Sequence, residues 1–144
     1  MKEKIDYLST LFVGIDIASR IHVISALDFN QEFFIKMKSI ENTQEGATLL
    51  ESLIVDVLTA NHQFKYVVIG MESTGFYGVH LANYLSASEL LASFSVRVYC
   101  LNPKYAETRN HQHKRALALT SRKFIRLLYG LLDKSQLYSL EKSR

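Results

Sequence analysis

Apolar positions fall into short runs in the first forty residues, and the runs predict strands. Leu11 to Ala18 is apolar except at Asp16, with Gly14 inside it, the pattern of a buried strand. Arg20 to Asp28 reads as its neighbour, and the break at Ala18-Ser19 is short, so an antiparallel hairpin is the natural connection. Glu32 to Lys38 gives a third strand after the turn Asp28-Phe29-Asn30-Gln31. The period then changes. Leu50, Leu53, Ile54, Val57 and Leu58 recur at helical spacing, with Asn42 or Thr43 as the cap and Glu45 three residues after Asn42, much like a capping box. Asn61-His62-Gln63 ends that helix. Tyr66 to Met71 is a continuous apolar run, as in a parallel strand covered on both faces. A second helix is expected from Phe76 to Leu85, capped by Ser73 or Thr74 and closed by Ser86-Ala87-Ser88-Glu89. Phe94 to Leu101 alternates with period two and stops at Asn102-Pro103, and Ala116 to Leu132 predicts a last helix.

The resulting order, βββαβαβα, has three strands in a meander followed by two parallel βα units, with no internal repeat. This is an α/β chain with the element order of the ribonuclease-H-like (RuvC-like) fold and a mixed five-stranded sheet. In that arrangement the first and fourth strands lie side by side.

Composition narrows the class. A chain of 144 residues with 48% hydrophobic and 22% charged content is a globular protein able to bury a core. No apolar stretch approaches the ~20 residues that span a bilayer, and the first residues hold no signal-peptide core. With the single cysteine Cys100 inside an expected strand, a cytoplasmic location is expected, without membrane association. Charge is uneven: residues 1–104 carry eight basic and eleven acidic side chains, whereas residues 105–144 carry nine and three. A basic stretch favours nucleic acid through phosphate contacts, and it is also a common feature of ordinary soluble proteins.

The chemistry concentrates at two strand ends. Asp16 closes the first run and Glu72 the fourth, and an ionised carboxylate in apolar surroundings is costly unless neutralised. Two of them side by side suggest a shared divalent cation, Mg2+ or Mn2+, and with it phosphoryl transfer. Each has a plainer reading, Asp16 as a turn-capping residue and Glu72 as a first-turn acid favoured by a helix dipole. His22 and His80 could approach the pair, though a strand-face and a helix-surface histidine are the plainer reading. Phe76 and Tyr77 read as core residues before base-stacking ones. His111 and His113 have no partner at zinc spacing.

Gly14-Ile15-Asp16-Ile17-Ala18, Glu72-Ser73-Thr74-Gly75-Phe76-Tyr77, Leu81-Ala82-Asn83-Tyr84-Leu85 and Asn102-Pro103-Lys104, in this order and spacing, resemble the N-terminal domain of the IS-one-ten type of insertion-sequence transposases, the DEDD transposases with a RuvC-like domain. The resemblance covers roughly residues 11–104. It implies a domain with four acids that bind magnesium and act on DNA, a serine supplied by a separate domain, and a structured guide-type RNA as partner. Asp16 matches the first acid and Glu72 the second, both as metal-ligating catalytic residues. The third and fourth acids of the family are aspartates three residues apart, and here Leu117 and Thr120 stand in their places. We therefore expect a transposase core over residues 1–104 and a basic, divergent tail over residues 105–144, from a truncated or frameshifted gene with little activity of its own. In that tail Arg115, Arg122, Lys123 and Arg126, with Lys104 before it, are candidate nucleic-acid contacts, and homo-oligomerisation is open. Two alternatives stay beside this reading: an ATP-binding domain of the actin and sugar-kinase type, and a decayed fragment that binds nucleic acid without catalysis. Against the first, Ile17-Ala18-Ser19-Arg20 offers no Gly/Thr-rich phosphate turn.

Overall fold

The computed structural model describes residues 6–72, 76–101 and 138–139. Its strands are β1 (Thr10–Asp16), β2 (Ile21–Leu27), β3 (Phe33–Glu41), β4 (Tyr66–Glu72), β5 (Val96–Leu101) and the short β6 (Tyr138–Ser139). Its α-helices are α1 (Gln44–Ala60), α2 (Val79–Ser86) and α3 (Glu89–Ala92). The six strands form one sheet in the order β3-β2-β1-β4-β5-β6. β1 pairs with β2 and β2 with β3 antiparallel, while β1–β4 and β4–β5 are parallel. The first five strands thus have the order and polarity of the ribonuclease-H-like fold. β6 extends the β5 edge through Tyr99–Ser139 and Cys100–Tyr138 pairs.

One face of the sheet carries the core. Leu11, Val13 and Ile15 of β1, Ile24 and Ala26 of β2, and Val67, Ile69 and Met71 of β4 pack with Leu50, Ile54 and Leu58 of α1 and with Leu81 and Leu85 of α2. The α1 positions belong to the apolar stripe expected from the sequence, and burying each such side chain stabilises the fold by about 1.5–3 kcal/mol. On the other face Phe12, Leu27 and Val68 are also buried, which explains why β1 and β4 read as continuous apolar runs.

Local chemistry sets the joints. Gln31 adopts a positive φ of 67° where the chain turns from β2 to β3, and its amide donates to the Asp28 carbonyl. β3 runs three residues beyond its expected end, with a bulge near Met37. Thr43 caps α1, its Oγ1 accepting the Gly46 amide at 3.0 Å. The capping box expected at Asn42 and Glu45 does not form: Asn42 instead donates from Nδ2 to the Ser19 carbonyl at 3.0 Å, tying α1 to the β1–β2 turn. Gly46 packs so closely on the Glu41 carbonyl that a side chain has no room there.

α2 starts at Val79, with Gly78 as its cap, three residues later than expected. Phe76 and Tyr77 therefore lie in the preceding turn, 87% and 54% exposed, and the expectation that they pack in the core is wrong. The polar stretch meant to end the helix layer caps another helix: Ser88 Oγ accepts the Leu91 amide and starts α3. Ser73, Thr74 and the helix expected at 116–132 lie outside the described residues.

Candidate metal centre

β1 and β4 run parallel and in register, Val13 opposite Ile69 and Ile15 opposite Met71. One step further on, Asp16 and Glu72 take adjacent positions at the C-terminal ends of the two strands. Neighbouring strands lie about 4.8 Å apart, so the register sets the two backbones at the spacing that two carboxylates sharing a cation require. Side chains alternate along a strand, so both positions belong to the face opposite Ile15 and Met71.

Asp16 is half-buried, and burial pushes its carboxyl above the usual aspartate range, with nearby His22 pulling part of the way back. No hydrogen bond from a described residue compensates it. A half-buried carboxylate without donors among the described residues, next in register to a second acid, is in a place where a bound cation would lower its energy. The donors are hard carboxylate oxygens, which suit Mg2+ or Mn2+. Among the described residues no three His, Cys, Asp or Glu side chains cluster closely enough to hold a metal by themselves. The fit is that of a partial site, two acids where a closed one needs more.

His22 and His80 do come together, on the other side of the sheet. His22 pairs in register with Ile40, on the core face, and is 1% exposed. Its Nδ1 accepts the Ala18 amide at 3.2 Å, so the neutral ring carries its proton on Nε2. Burial lowers its pKa, opposed by the nearby Asn42 side chain and by Asp16. His80, exposed in the first turn of α2, shares a pocket of about 290 Å³ with His22, Glu41, Asn42, Gln44 and Tyr84. The plainer sequence reading, a strand-face His22 and a helix-surface His80, is the one the structure shows, and the pocket they share goes beyond it. The signal was available in the phase of β2, where His22 falls on the side of Ile24 and Ala26.

Lys104, Arg115, Arg122, Lys123 and Arg126 lie outside the described residues, as do Leu117 and Thr120. Cys100 on β5 is a free thiol whose pKa burial raises, a poor nucleophile. Among the described residues no helix is long and apolar enough to cross a membrane.

Two solved structures are similar at low identity. Thermus thermophilus RuvC in complex with a Holliday junction substrate shares 13% identity over 69% of this chain and 68% of its own, with a TM-score of 0.44. A second Thermus thermophilus RuvC structure shares 15% over 66% and 65%, with a TM-score of 0.41. No curated protein matches the sequence. A transposase family model, that of the DEDD transposases of the IS-one-ten type, matches residues 13–118, both strand-end acids included. With the greater part of its length inside that match, the chain belongs to the IS-one-ten type DEDD transposase family.

Proposed function

We propose that this domain binds a divalent cation, Mg2+ or Mn2+, between Asp16 and Glu72 and works on DNA strands within a transposition reaction. The observation that carries the reading is the register of β1 with β4, which makes the two acids neighbours at one end of the sheet. Bound there, a divalent ion supplies Lewis-acid stabilisation of the charge that develops on a phosphate undergoing displacement. The chain's own part is to hold the carboxylates. β1 fixes Asp16 through pairing on both sides, to β2 by the Asp16–Val23 pair and to β4 up to Ile15, so its backbone has little freedom to move when a ligand arrives. The raised pKa of Asp16 means that a cation must first displace a proton more tightly held than usual, so affinity rises with pH.

With two carboxylates, and with Leu117 and Thr120 where the family has aspartates, cation affinity is lower than a four-acid site would give, since affinity follows ligand charge. Strand cleavage and transfer would then depend on groups beyond this pair. By the family likeness a structured RNA is the partner that would complete the assembly, and homo-oligomerisation is open.

Calorimetric titration of the intact chain with Mg2+ and Mn2+, alongside Asp16→Asn, tests the reading. Saturable binding that disappears in the variant supports it. Binding unchanged in Asp16→Asn places the cation elsewhere and refutes it.

A further inference from the structure

The pocket on the helix side of the sheet is lined by several groups that can donate hydrogen bonds, together with Ala47, Leu81 and Glu41. α1 is a 17-residue helix whose start forms one wall. The Gly46 amide is taken by Thr43 Oγ1 and the Ala47 amide by the Thr43 carbonyl, so the amides of Gln44 and Glu45 are the two for which the helix has no acceptor. The partial positive charge of the helix dipole collects at that point. His80 and Asn42 line the same pocket.

A second observation is independent of the helix end. His22 is 1% exposed and lines the same pocket, yet its Nε2 is buried without a hydrogen-bond partner among the described residues. Because Nδ1 is held to the β1–β2 turn by the Ala18 amide, the far ring edge, with its Nε2–H, faces the Asn42 side chain, which lines the same pocket and is close enough to affect the ring without forming a well-aligned hydrogen bond. An orphaned donor at this depth costs about 1–3 kcal/mol. A ligand that accepts a hydrogen bond removes that cost.

We propose that this pocket binds a phosphate group, which accepts from His22 Nε2–H, from the Gln44 amide at the start of α1, and from His80. Helix starts bind phosphates through such amides. The site stands at the same end of the sheet as Asp16 and Glu72: β3 ends at Glu41 opposite Ile21, and α1 begins two residues beyond Asn42. Asp16 and Glu72 hold the opposite face, so the two sites are distinct. Glu41 also lines the pocket, but it is exposed, and its carboxylate is free to turn into water, where its repulsion is screened. Tyr84 takes no part as a donor, since its hydroxyl is engaged by Glu51 and Thr48 at 3.3 Å each. That the phosphate belongs to a DNA backbone rests on the function proposed above; that the pocket takes a phosphate does not.

The test is nuclear magnetic resonance of the full chain in metal-free buffer with chelator, titrated first with inorganic phosphate and then with a short DNA duplex. Saturable shifts of the Gln44, Glu45 and Gly46 amides and of the His22 ring nitrogens are expected. If inorganic phosphate and duplex both shift them, a backbone phosphate is the ligand; inorganic phosphate alone assigns the site to a free phosphate. His22→Phe keeps a planar ring and removes the donor, and should weaken phosphate binding about tenfold. His80→Ala, at an exposed position where folding is not at stake, should weaken it severalfold. No shift of these signals with either probe overturns the proposal, as does binding that both variants leave unchanged. Chelator keeps this readout apart from the cation site, so a failure of Asp16 and Glu72 to bind metal leaves its outcome untouched.

Discussion

Gly46 is the position at which a single methyl group should do most damage for its size. It lies in the first turn of α1, buried, against the end of β3. A Cβ there would interpenetrate the Glu41 carbonyl oxygen and would lie 2.9 Å from the Glu41 carbonyl carbon and 3.1 Å from Ile40 Cγ2. Two of these neighbours are backbone atoms and cannot swing aside, so α1 itself must shift. Overpacking of this kind costs about 1–3 kcal/mol, and contact with backbone places the cost at the upper end. Against it, alanine is favoured over glycine inside a helix by about 1 kcal/mol. The clash wins, and Gly46→Ala should destabilise the protein by about 2 kcal/mol. At roughly 2–4 °C of melting temperature per kcal/mol for a chain of this size, that is a fall of about 4–8 °C in circular dichroism melts. The movement also carries the Gln44 and Glu45 amides away from His22, so phosphate-induced shifts should weaken in the same variant. A melting temperature equal to or above that of the parent would mean that α1 slides without cost, and the packing argument would be refuted.

Ile54→Ala, in the middle of the α1 stripe and fully buried, should cost about 2–5 kcal/mol in urea unfolding, whereas exposed Ser52→Ala should cost next to nothing. Because burial lowers the His22 pKa, the unfolded chain binds more protons just below pH 6.5; stability should rise with pH through that window, by at most about 1.4 kcal/mol per unit, and level off above it. The slope should shrink in His22→Phe, and an identical slope in both proteins would contradict the assignment. Asp16 has the opposite sign: its raised pKa makes ionisation unfavourable in the fold, so its contribution falls as pH rises from 3.8 upward. Asp16→Asn should therefore retain or gain stability at pH 7 while losing cation binding. Cys100, half-buried with its pKa raised, should react with a thiol reagent at neutral pH more slowly than free cysteine, and labelling at the free rate would show the β5 edge open.

Much of this architecture was legible because the strands differ in how they are covered. β4 is flanked by parallel partners and apolar throughout, and β1 shows the same run broken only at Gly14 and Asp16, so both were visible as central strands and their ends as the place for acids. α1 declared itself through Leu50, Ile54 and Leu58. The start of α2 was misjudged because Phe76 and Tyr77 match an apolar helical pattern, and exposure of two aromatics leaves no trace in periodicity. α3 was missed because a four-residue helix has no period to detect and Ser88 reads equally as a loop residue. The phosphate pocket was illegible for a different reason. It depends on His22, Asn42 and the α1 start converging from elements far apart in sequence, and on a hydrogen bond from Ala18 that decides which histidine nitrogen is left without a partner.

The two sites are consistent with one another on electrostatic grounds. On the proposed function, a nucleic-acid substrate would bring phosphates to the end of the sheet where the Asp16 and Glu72 positions lie, and negative charge there repels them unless a cation stands between. Backbone pairing assigns the acids to one face and His22 to the other, since Asp16 pairs with Val23 and His22 with Ile40. That separation of one residue in β2 would let a phosphate meet donors on the helix side while, on the proposed function, a cation is held at the acids on the far side. Neither site neutralises the other, as they would if His22 moved one position and formed an ion pair with Asp16. Slipping the β1–β2 register by one residue would bring the histidine onto the acid face and remove both sites at once. The Asn42 bond to Ser19, which ties α1 to the turn between these strands, and the Ala18 bond to His22 both act to hold that register where it is.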